Sequence, residues 1–176
     1  YCMYEGTDVA IIACGAMVYE GLVAAKELKK EGISAMVINN HTIKPIDRAT
    51  IVEAAKATGA VVTVEEHQIM GGMGSAVLEV LAQECPVPVE MIGIMDRFGE
   101  SGDPDVLMKA FGLTGEKIVE AAKRVIKRKW YFIFQISTAG LAGGLLNPYK
   151  GLLPAGLSSF ENLPRAPVFS ASAKAA

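Results

Sequence analysis

The sequence predicts an α/β fold, a mostly parallel sheet covered by helices on both faces, and three observations carry that expectation. Four short runs are almost wholly apolar and rich in β-branched residues, as strands buried on both faces must be. Stretches of helical periodicity stand between them. Glycines, prolines and aspartates fall where such elements start and stop. Alternation of this kind is the pattern of strand–helix–strand crossovers.

The strands are expected at residues 9–13, 35–38, 60–64 and 89–94. Between the first two, Val18, Leu22, Ala25 and Leu28 recur at helical spacing, and Gly32 stands where a left-handed C-terminal cap belongs. Asp47 can cap a second helix with Ile51, Val52 and Ala55 on its inner face and Gly59 as its stop. Ser75 or a nearby glycine opens a third, carrying Val77, Leu78 and Leu81 and ending before Pro86. Asp103-Pro104 supplies the favoured cap and first residue of a short helix through Ala110, which Gly112 terminates. The last helix begins at Thr114 with Ile118, Ala121, Ala122, Val125 and Ile126 on one face. Its end is expected among Lys123, Arg124, Lys127, Arg128 and Lys129, since the macrodipole favours cations there.

Composition narrows the function. The 176 residues are 51% hydrophobic, enough for one core, and the net charge of −2 comes from interspersed acids and bases. No basic field exists to attract nucleic acid or anionic lipid. Cys2, Cys14 and Cys85 are odd in number, lack CxxC spacing and stand beside only two histidines, so neither a disulfide framework nor a zinc site is expected, and a reducing cytoplasm fits best. The first residues are no signal peptide and read as a chain begun partway through a longer one. From residue 129 the character changes. The stretch 130–146 is uncharged, opens on aromatic residues and then turns rich in Gly, Ser and Ala. Domain boundaries are accordingly expected at 1–128 and 129–176. The tail is read as disordered or out of frame, ahead of an ordered extension or a membrane anchor, which its length and polar interruptions disfavour.

Ligands of open α/β sheets collect beyond the carboxyl ends of the strands. Four loops are expected there, at residues 14–16, 39–47, 65–75 and 96–103. The third is the richest, because Glu65, Glu66 and His67 leave a strand and a glycine run leads into a helix N-terminus, where N–H groups can cradle an anion. Glu66, His67, Gly71, Gly72, Gly74 and Ser75 are therefore the candidate interface or anion-binding loop. A dinucleotide fingerprint is incomplete, since Val77 stands where its third glycine would. His67 has two readings, an acid–base partner of the neighbouring carboxylates or a hydrogen-bonding group at a loop or subunit contact, of which the second is favoured. A Cys14–His41 pair and a cation site at Asp96, Glu100 and Asp103 are weaker constellations; Asp103 is better explained as a cap. No catalytic, cofactor-binding or metal-ligating set is complete.

Together the stretches EGTDVAIIACG, HTIKPID, VVTVEEHQIMGGMGSAVLEVLAQ and DRFGESGDPDVLMKAFGLT, in this order, resemble the C-terminal domain of transketolases, most closely that of split bacterial or archaeal ones. The resemblance covers residues 5 to about 128. It implies a three-layer α/β/α domain on a five-stranded mixed sheet, whose antiparallel first strand is represented by residues 1–4. It also implies an enzyme that moves a two-carbon ketol unit between sugar phosphates with thiamine diphosphate and a divalent metal, magnesium. The cofactor belongs to domains absent from this sequence, so the domain alone is expected to be inactive. Its implied partners are the remaining transketolase domains or an N-terminal subunit, in a homodimer of the complete enzyme. Related domains occur in deoxyxylulose-phosphate synthase and in the β subunits of 2-oxoacid dehydrogenases, and a stand-alone regulatory or ligand-binding module is a further alternative.

Overall fold

The computed structural model describes residues 1–143, with side chains described through residue 129. A division between Phe132 and Ile133 separates two compact units, of which the first is Tyr1–Phe132. The elements are β1 (Cys2–Tyr4), β2 (Val9–Ala13), α1 (Met17–Lys30), β3 (Ala35–Asn39), α2 (Arg48–Thr58), β4 (Val61–Gln68), α3 (Met73–Glu84), β5 (Val89–Ile94), α4 (Pro104–Ala110) and α5 (Gly115–Gly143).

The strands form one mixed sheet in the order β1-β3-β2-β4-β5. β1 pairs antiparallel with β3, and the other pairings are parallel. Every residue of β2 is buried, which is why its sequence shows no polar alternation. Alternate side chains feed two cores. Val9, Ile11 and Ala13 pack with Ala24 and Leu28 of α1 and with Ile118, Ala122 and Val125 of α5. On the opposite face Ala10 and Ile12 meet Ile51 and Ala55 of α2 and Val77 and Leu81 of α3. Each fully buried Leu or Ile contributes about 1.5–3 kcal/mol by burial, so this double-faced packing dominates the fold.

The predicted stops are in place. The Asp47 carboxylate accepts hydrogen bonds from Thr50 N at 3.1 Å and Thr50 Oγ1 at 2.7 Å, and Gly59 closes α2 at φ 64°. Asp103 caps α4, accepting from Asp105 N at 3.0 Å, with Pro104 as its first residue. Two boundaries differ from expectation. β4 continues through Gln68, so residues 65–68 are strand and not loop. α5 does not end at the basic cluster but continues to Gly143. The expectation for residues 144–176 lies outside the described residues.

With the helix running on, the basic residues have other partners. Lys123 Nζ donates to Glu31 Oε1 at 2.7 Å, and Arg124 and Arg128 both reach Glu90 on the edge strand β5, at 3.2 Å and 2.7 Å. Arg128 also donates to Val89 O at 2.8 Å. Lys129, placed in the tail by sequence, is only 8% exposed and donates from Nζ to Thr58 O at 2.7 Å. That carbonyl ends α2, so Lys129 joins α5 to a helix on the other face of the sheet. Burial pushes its ammonium below the usual lysine range, partly opposed by Asp8. No helix among the described residues is long and apolar enough to cross a membrane.

Candidate functional site

The segment joining β4 to α3 forms the centre of the carboxyl edge. Glu65, 2% exposed, is the last buried residue of β4. Its carboxylate accepts hydrogen bonds from Met73 N at 2.6 Å and Gly74 N at 2.9 Å, the first amides of α3. A negative acceptor there satisfies two orphan donors and complements the helix dipole. Gly72, the cap residue, has no side chain to do so, and Glu65 supplies the cap from the neighbouring strand.

The glycines make that approach possible. A Cβ on Gly72 would strike Gln68 O and Glu65 Oε2, and one on Gly74 would lie 2.6 Å from Thr63 Oγ1 and 2.8 Å from Met91 Cε. Gly71 turns the chain at φ 80°. Ser75 Oγ locks the turn, donating to Ile69 O at 2.8 Å and accepting from Gly71 N at 2.9 Å. The Met73 and Gly74 amides are therefore occupied by Glu65. Of the expected interface or anion-binding loop, Glu66, His67, Gly71, Gly72, Gly74 and Ser75, the Gly71 and Gly74 amides are thus bonded within the chain.

A surface remains. Glu66 and His67 are exposed at the end of β4, and His67 Nδ1 lies 3.3 Å from Gln68 O. Gln68, which the sequence reading did not single out, uses both ends of its amide. Its Nε2 donates to Arg97 O at 3.0 Å and its Oε1 accepts from Asp96 N at 2.9 Å, holding the β5–α4 loop where Asp96 adopts φ 48°. The Arg97 guanidinium lies 4.2 Å from the Phe111 ring centroid and pairs with Glu100. Beside this loop is a cleft of about 450 Å³, floored by Ile94, Leu107, Met108, Phe111 and Leu113 and rimmed by Glu66, His67, Arg97 and Glu100. Met70, Met95 and Phe98 stand exposed along the same edge, Phe98 at 97%. The available signal for Phe98 was an aromatic residue set among loop-forming glycine, serine and charged residues.

The weaker constellations do not assemble. Burial pushes the Cys14 thiol up and the Glu65 carboxylate adds to this, which disfavours a thiolate nucleophile. His41 is exposed on its loop. Asp103 is committed to capping α4 and Glu100 to Arg97. Among the described residues no group of three His, Cys, Asp or Glu side chains could hold a metal ion.

Residues 2–118 match the family model for the transketolase C-terminal domain. The chain is 50% identical over 125 residues to the 6-deoxy-6-sulfo-D-fructose transketolase subunit SqwH of Clostridium sp. (strain MSTE9), covering 71% of this chain and 39% of that one. It is 45% identical over 127 residues to 1-deoxy-D-xylulose-5-phosphate synthase 1 of Geobacter sulfurreducens, covering 71% and 20%. A solved split gene transketolase, described as an inactive beta4 tetramer, superposes with a TM-score of 0.71 at 48% identity, over 73% of this chain and 42% of that one. Transketolase from Leishmania mexicana superposes with a TM-score of 0.57 at 26% identity, over 73% and 18%. The chain thus spans less than half the length of each of these relatives.

Proposed function

Because this chain belongs to the transketolase C-terminal domain family, we propose that it serves as the C-terminal domain of a transketolase-type enzyme moving a two-carbon ketol unit between sugar phosphates. The observation that carries this reading is the 50% identity to a transketolase subunit across 125 residues. In this reading the domain's role is structural and interfacial. Its most distinctive carboxylate, Glu65, is used internally to cap α3, which leaves Glu66, His67 and the Gly71–Gly72 turn facing outward for contact with a neighbouring domain.

Thiamine diphosphate, when bound, supplies the electron sink for breaking the carbon–carbon bond. The described residues do not fit the cofactor's metal, since they offer no cluster able to hold one, so the proposal assigns thiamine diphosphate and magnesium to the remaining domains or to an N-terminal subunit. The family domain is taken to comprise the first unit, the complete enzyme to be a homodimer, and its compartment to be the cytoplasm, a placement supported by three free cysteines. The 45% identity to a deoxyxylulose-phosphate synthase supports that activity as the second reading.

Co-expression with the remaining portion of the enzyme tests the ketol-transfer reading, using thiamine diphosphate and magnesium with a ketose phosphate donor. Ketol transfer to an aldose phosphate only when both parts are present is the expected result. Tight thiamine diphosphate binding by this chain alone would overturn the assignment of roles. In the assembled enzyme His67→Ala should weaken assembly while leaving the melting of the isolated chain unchanged, because the ring is exposed.

A further inference from the structure

No further inference is drawn: the strongest candidate, the apolar cleft of about 450 Å³ between the end of β5 and α4, beside the exposed Phe98, belongs to the edge already read as the contact with a neighbouring domain, and nothing in the structure shows what else covers it.

Discussion

Glu65 does at the start of α3 what a serine or aspartate at the cap position usually does, but from an adjacent strand and while buried. Hydrogen bonds to a charged group contribute about 1.5–3 kcal/mol each, and they are strongest where water is excluded. Glu65→Gln puts an amide nitrogen against one of the two N–H donors, and unfolding free energy should fall by about 2–3 kcal/mol, read as a lower urea midpoint. An unchanged midpoint would mean that the carboxylate is not the cap. Asp47 behaves differently because it is exposed. Its hydrogen bonds from the Thr50 hydroxyl and amide hold its carboxyl below the ordinary value of 3.8. A depressed folded value means that the contribution is complete above 3.8 and disappears as pH falls through the folded value. Acid unfolding of Asp47→Asn should therefore lose part of the wild type's pH dependence in that range and show none of it near neutrality.

At the scale of elements, α4 contrasts with its neighbours. It has no fully buried residue, so its cap matters locally and little for the global transition. Asp103→Ala should cost the helix about 1 kcal/mol, appearing as faster hydrogen exchange at residues 105–110 with almost no change in the melting of the whole unit. A large global loss would show that α4 is part of the cooperative core. Helices and strands were legible in the sequence because apolar period and punctuation agreed, as with Val18, Leu22, Ala25 and Leu28 before Gly32. The end of β4 was not legible, because Glu-Glu-His-Gln reads as polar loop, and only the tertiary pairing of Gln68 with Ile94 makes it strand. The Glu65 cap was hidden for a related reason, since local sequence does not show a carboxylate folding back onto amides eight and nine residues ahead. The basic cluster misled because cations suit a helix end, whereas Lys123, Arg124 and Arg128 serve lateral contacts to Glu31 and Glu90 in mid-helix. The internal wiring of the candidate loop was likewise hidden from the sequence.

For the molecule as a whole, Lys129 is where the first unit's boundary acquires physical content. Cutting the chain after Phe132 should preserve a cooperative transition, because both cores and the Lys129 contact remain. Cutting after Arg128 leaves the buried Thr58 carbonyl without that donor, an expected loss of about 1–3 kcal/mol, measured as a lower midpoint in the same denaturant series. Equal midpoints would mean that the lysine bridge between the two helical layers contributes nothing. The antiparallel direction of β1 has a different consequence. Tyr1 exchanges backbone hydrogen bonds with Asn39 at the end of β3, which sets the amino terminus at the same end of the sheet as Glu66, His67 and Phe98. Any polypeptide joined ahead of Tyr1 is thereby tethered on the side it would need to reach, and a short flexible tether holds its cargo at an effective concentration on the order of millimolar. A weak contact at that edge would then be saturated in a fused protein and nearly empty between separate chains at micromolar levels.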